Sequence, residues 1–105
     1  MTEIIKEDGK TIIKTGERID TINAAQFEQD IQPALADGGV DLEMDCQALT
    51  YMASSGLCII QKTMRTVIQQ KGTFKMTNVR PEIYKVLAMT GFTKFMKVEK
   101  KKEEA

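Results

Sequence analysis

Histidine and tryptophan are absent from this 105-residue chain, and proline and cysteine occur only twice each. Without histidine the chain builds no Ser-His-Asp triad, no Cys-His pair and no His-ligated zinc site of its own. Cys46 and Cys58 do not form a C-x-x-C motif and read as two reduced thiols. The net charge is zero, from 15 basic and 15 acidic residues, so a bulk electrostatic grip on nucleic acid is not expected. No apolar run approaches the ~18 residues of a membrane span. The opening MTEIIKEDGK does not read as a signal peptide. Glycine-rich phosphate loops are missing as well. The expectation is a cytoplasmic protein without a cofactor or metal, touching neither nucleic acid nor membrane directly.

What is present suits one domain over residues 1–105, with a core of about 3–98 and a solvated tail over 99–105. Hydrophobic residues make up 42% and charged residues 29%, the balance of an ordinary globular fold with a single core. Two β-rich runs flank Asp8-Gly9, a pair suited to a two-residue hairpin in which both residues take positive φ, and predict strands near 3–7 and 10–16. Gly16 ends the second. Asn23 and Gln26 have the spacing of a capping box, so a helix is expected to begin there. Ala24, Phe27, Ile31 and Leu35 give it one apolar stripe, Pro33 loosens its last turns, and Gly38-Gly39 stops it.

Val40, Leu42 and Met44 alternate with Asp41, Glu43 and Asp45, the period of a strand. Its acidic residues share a face, which reads as solvated or, less simply, as a set of metal ligands; the glycine and spacing of a calcium loop are missing. A second helix is expected from Ser54, burying Leu57, Ile60, Met64, Val67 and Ile68 and closing at Lys71-Gly72. Residues 73–77 read as a strand. Pro81 suits the first position of a third helix, with Ile83, Val86 and Leu87 facing inward and Gly91 as its cap. Phe92, Phe95, Met96 and Val98 form a last turn and edge strand. The order β-β-α-β-α-β-α predicts an α/β fold, a mixed but mostly parallel sheet of 4–5 strands with an N-terminal hairpin and 3–4 helices.

The sharpest local feature is Tyr51-Met52-Ala53-Ser54-Ser55-Gly56-Leu57. Ser54 is a natural N-cap, and Gly56 leaves the first-turn amides uncovered. An anion there is favoured by roughly 0.3–1 kcal/mol, so Ser54 could carry a phosphate; equally, it could be a cap and nothing more. A nucleophilic serine would need Lys62 as its base, depressed by burial.

Charge is uneven. Residues 1–45 carry eleven acidic and four basic side chains, and residues 46–105 carry the reverse. Lys62, Arg65, Lys71, Arg80 and Lys85 could flank an acidic partner, or belong to a mixed surface. The seven methionines read mainly as core filling, with Met52, Met89 and Met96 nearest a contact surface.

Taken in order, Gly16-Glu17-Arg18-Ile19-Asp20, the acidic strand Asp41–Asp45, Leu49 through Leu57, Asn78-Val79 and Val86-Leu87-Ala88-Met89-Thr90-Gly91-Phe92 give the chain a resemblance to the STAS domain of bacterial anti-sigma factor antagonists. The resemblance runs over about residues 3–98. It implies partner switching: the dephosphorylated form binds an anti-sigma factor, usually a serine kinase, and frees a sigma factor. Phosphorylation of a serine at the start of the second helix weakens docking, and a PP2C-type phosphatase reverses it. Ser54 aligns with that serine, Ser55 is a second candidate hydroxyl, and Asp20 aligns with an acidic residue flanking the site. The implied docking set is Asp20, Thr21, Ala53, Ser54, Ser55, Gly56 and Leu57. The family commonly has aspartate where this chain has Ala53, which leaves open a non-phosphorylated adaptor or accessory subunit, for instance of a transporter.

Overall fold

A computed structural model describes residues 2–36 and 41–101. Strands β1 (Glu3–Glu7) and β2 (Lys10–Lys14) form the hairpin, with Glu7 opposite Lys10. Gly9 has φ 68° while Asp8 stays at negative φ, so only one of the two turn residues is left-handed and the mirror-image turn expected from Asp-Gly is not the one formed. Then come the two-residue strand β3 (Arg18–Ile19), helix α1 (Ala24–Leu35), β4 (Asp41–Asp45), a second two-residue strand β5 (Tyr51–Met52), α2 (Ser54–Gln69), β6 (Thr73–Val79), α3 (Pro81–Met89), a 3-10 turn over Phe92–Lys94 and β7 (Lys97–Lys100).

The main sheet has the order β1-β2-β4-β6-β7. Its first pair is antiparallel and the other three are parallel, the mixed sheet the sequence predicts. Ile13, Leu42, Met44, Phe74 and Met76 are buried on one face, with Phe27, Ile31, Ile60, Val67 and Leu87 of the helices in the same core. Sheet pairing extends past residue 98: Glu99 and Lys100 belong to β7, and the Lys101 amide donates to the Val79 carbonyl at 2.8 Å.

Several local expectations are corrected. The capping box does not form: Gln26 donates to Asp30 at 2.7 Å, and the Asn23 side chain makes no cap bond. Helix α1 ends two residues beyond Pro33; Gly38, Gly39 and Val40 lie outside the described residues. Ile68 and Val86, expected inside, are exposed, and Ile59 is buried instead. Lys71, not Gly72, takes the left-handed conformation after α2, with φ 63°. Met96 is buried whereas Met89 is exposed. The five basic residues do not form one flank. Lys71 precedes β6 and Arg80 follows it, so a whole strand separates them.

The acidic strand is internally matched. Glu43 pairs with Lys10 at 3.0 Å and Lys75 at 3.8 Å and accepts from Thr77 at 2.8 Å. Asp41 accepts from Thr73, and Asp45 from Asn78. Among the described residues no group of three His, Cys, Asp or Glu side chains could hold a metal. Partial burial works to raise the Glu43 pKa, but the bonds from Lys10 and Thr77 outweigh it and hold the carboxyl below its ordinary 4.5. The same pairing raises Lys10 above 10.5. A depressed carboxylate stabilises the fold above its unfolded pKa and loses that contribution as pH falls through the folded value. Glu43→Gln is therefore expected to lower the melting midpoint at neutral pH, with the gap from wild type closing as pH drops below 4.5. A pH series of thermal melts checks this.

Both cysteines are free thiols; Cys46 is buried and Cys58 exposed. Burial, with the Asp45 charge nearby, pushes the Cys46 thiol up to about 12.

Candidate functional site

The site is assembled by the second, two-stranded sheet. Periodicity cannot detect strands of two residues, yet β3 and β5 pair in parallel, Arg18 beside Tyr51 and Ile19 beside Met52. The Thr50 amide donates to the Glu17 carbonyl at 2.8 Å, and the Ala53 amide to the Ile19 carbonyl at 2.8 Å. This pairing sets the turn after Ile19 alongside the start of α2. Residues thirty positions apart in the chain, Asp20-Thr21-Ile22 and Ala53-Ser54, thus share one edge.

Asp20 organises its own turn. Its Oδ1 accepts from the amides of Ile22 (3.0 Å) and Asn23 (2.9 Å), and its Oδ2 accepts from Arg18 Nε at 3.1 Å. Asn23 reciprocates: its Oδ1 accepts from the Asp20 amide at 2.8 Å, and its Nδ2 donates to the Arg18 carbonyl at 2.9 Å. The backbone bond to Asn23, with help from Arg18 and Ile22, holds the Asp20 carboxyl below the usual carboxylate range against the opposing effect of partial burial. Arg18 also lies over the Tyr51 ring, 4.9 Å from its centroid. It therefore ties β3 to β5 at the outer edge. Thr21 is exposed, and Ile22 is 92% exposed. Neither periodicity nor a motif marks Ile22. Its only signal is an isoleucine set inside a polar turn, outside any apolar stripe.

The start of α2 differs from the expectation by one residue. Ala53, not Ser54, occupies the N-cap, with φ −83° and ψ 170° and no side-chain cap bond. Ser54 is the first helical residue and is exposed. Ser55 carries its Oγ below the surface, without a hydrogen-bond partner among the described residues. Gly56 is buried in the first turn, and Leu57 is half-buried against the core. A Cβ on Gly56 would lie 2.7 Å from Met52 Cγ and 2.9 Å from Ile19 Cγ2. The glycine is what lets α2 press against the β3–β5 pair. Lys62, eight residues on and so about 12 Å along the helix, is exposed and paired with Glu28 at 3.5 Å, which removes it as a base for Ser54.

A methyl group at the N-cap leaves the first-turn amides without a side-chain acceptor. The Ala53 backbone is already in the extended conformation a capping residue needs. Ala53→Asp is expected to stabilise the fold by about 1 kcal/mol, raising the melting midpoint by roughly 4–8 °C. Calorimetry on the purified variant checks it.

An anti-sigma-B factor antagonist of Bacillus subtilis is 28% identical over 85 residues, covering 81% of this chain and 77% of that protein. The crystal structure of an anti-sigma factor antagonist from Mycobacterium paratuberculosis superposes with a TM-score of 0.84 at 25% identity, covering 94% of this chain and 84% of that one. The fold also occurs within the murine Slc26a9 anion transporter, with a TM-score of 0.72 and 16% identity over 90% of this chain but only 16% of the transporter. The family model for the STAS domain matches residues 1–105, and the chain belongs to that family.

Proposed function

We propose that this protein is an anti-sigma factor antagonist: it docks on an anti-sigma factor of the serine-kinase type, releases a sigma factor, and loses its grip when Ser54 is phosphorylated. A PP2C-type phosphatase resets it. The observation that carries the reading is the placement of Ser54, exposed at the first position of α2 and held on the same edge as the exposed Ile22 and the Asp20 turn. An apolar side chain displayed beside a modifiable hydroxyl suits a surface that a partner covers in one state and rejects in the other. Docking would desolvate the start of α2. A phosphate there carries a charge of about −1.5 to −2, sits on the edge shared with the Asp20 carboxylate, and must be stripped of water or expelled on docking. A loss of a few kcal/mol shifts the complex by two or more decades in affinity. Ser55 is set aside as the modified residue because its oxygen lies beneath the surface. Names of relatives, among them the Bacillus subtilis protein, support the same class of activity.

The test is intact mass after incubation with the cognate anti-sigma kinase and Mg-ATP. One phosphate is expected on the wild type and none on Ser54→Ala; an unchanged mass in both overturns the switch. A second reading, an adaptor of this fold that is never phosphorylated, such as a transporter-associated subunit, is favoured by Ala53 in place of the family's aspartate. That reading expects Ser54→Asp to bind its partner as well as wild type does.

A further inference from the structure

We infer that the groove at the carboxyl ends of β2, β4 and β6 is a binding site for a small organic anion, a carboxylate or phosphate on a polar body. This groove, of about 1440 Å³, runs between α1 and the strand ends and is separate from Ser54, which does not line it. The groove lies just outside the strand ends, lined by the segments that leave them: Thr15 and Gly16 after β2, Gln47 after β4 and Arg80 after β6. Two buried donors on its lining lack partners among the described residues. Thr15 is 4% exposed and its Oγ1 is unbonded; Arg80 Nε is buried and unbonded, while the same guanidinium reaches only the Gln47 carbonyl, at 3.5 Å. A buried hydroxyl and a buried guanidinium N–H left unpaired are costly; Thr15 follows β2 and Arg80 follows β6 with β4 between them, so a ligand long enough to bring one oxygen to each, after rotation of these side chains, would relieve both.

Charge in the lining is balanced, four cationic side chains against four carboxylates, so the ligand that fits carries an anionic group for the cationic side and hydroxyl or amine donors for the rest. Lys14, Arg80 and Lys101 line the groove, and none of them has a carboxylate within ion-pair distance among the described residues. Four carboxylates also line it. Asp45 is occupied by Asn78 and the Gln47 amide, and Asp30 by Gln26. Glu3 and Glu17 make no ion pair among the described residues, so hydroxyl or amine donors on the ligand's polar body would be their partners. An arginine guanidinium suits a planar carboxylate or a phosphate better than a halide. The groove also includes Gly16, Glu17 and Arg18, the lead into the Asp20 turn, which puts the ligand next to the segment that β3 holds in place.

The experiment is a titration of the full chain, followed by amide chemical shifts at constant ionic strength, with inorganic phosphate, succinate and chloride in separate arms. Saturable shifts at Thr15, Gly16, Arg80 and Lys101 with phosphate or succinate, absent with chloride, are expected. The stronger of the two arms identifies the anionic group. Arg80→Gln is expected to weaken binding at least tenfold and Arg80→Lys less, because lysine lacks the fork. Thr15→Val is expected to weaken binding too while raising the ligand-free melting midpoint, since it replaces an unpaired hydroxyl by a methyl. That rise also shows that the lost binding is not lost folding. Shifts that never saturate, that chloride reproduces, or that survive Arg80→Gln unchanged overturn the proposal.

Discussion

Ser54→Asp should lower affinity for the anti-sigma partner by about 100-fold, or nearly 3 kcal/mol, while leaving the fold as stable as wild type or slightly more so. The two effects have opposite signs because they arise on different surfaces of one residue. Within the free protein, Ser54 is the first residue of a 16-residue helix whose N-cap is an alanine, so the first-turn amides lack a side-chain acceptor. A carboxylate at that end is favoured by roughly 0.3–1 kcal/mol. In the complex, the same carboxylate must leave water beside Asp20, whose own charge is kept ionised by Asn23, Arg18 and Ile22. Ser54→Ala and Ser54→Thr add no charge and are expected to bind within a few-fold of wild type. Titration calorimetry with the purified partner, next to thermal melts of the variants alone, reads both signs. Equal affinity for wild type and Ser54→Asp favours the adaptor reading.

Gly56→Ala should destabilise the protein even though alanine is the better helix former. The propensity gain is roughly 0.8–1 kcal/mol. Against it stands a methyl group forced to within 2.7 Å of Met52 Cγ and 2.9 Å of Ile19 Cγ2. Ile19 is fully buried and its strand is hydrogen-bonded to β5, so it does not yield without moving the pair, while half-buried Met52 yields only by turning its side chain. Overpacking of this kind costs typically 1–3 kcal/mol, and the contact here is tight enough to place it at the upper end. The net expectation is a loss of about 1–2 kcal/mol, a fall in melting midpoint of roughly 4–15 °C. Because α2 would be pushed off the β3–β5 pair, the Asp20 turn and Ser54 would also separate, so partner affinity should fall with stability. In a Met52→Ala background the cost should shrink, since the nearest atom is gone; a double-mutant cycle measures that coupling. A Gly56→Ala protein as stable as wild type would show that the close approach is not needed.

Much of the scaffold can be read from residue spacing because each element there has a strong, local cause. The stripe of Ala24, Phe27, Ile31 and Leu35 is buried as its period demands, Leu42 and Met44 turn inward on alternate positions, Pro81 opens α3, and Gly91 closes it at φ 85°. The site itself is less legible, for three physical reasons. Strands of two residues have no periodicity, so the β3–β5 pair that builds the edge leaves no pattern. Capping chemistry is ambiguous: Asn23 and Gln26 fit one template, but Asp20 and Asn23 satisfy each other first, three residues apart. The start of α2 is set by the bond from the Ala53 amide to Ile19, which overrides the preference of serine for the cap and moves Ser54 one residue into the helix. At the margins of the stripes, Ile68 and Val86 follow the apolar spacing of their helices but lie where no neighbouring element covers them, and so they face solvent.

The most direct measurement separates the endogenous protein into partner-bound and free fractions and maps phosphate on each. The account predicts that the bound fraction has a bare Ser54 hydroxyl and that phosphate on Ser54 is confined to the free fraction. Phosphate on Ser54 in the bound fraction, or on neither fraction under any growth condition, would contradict it.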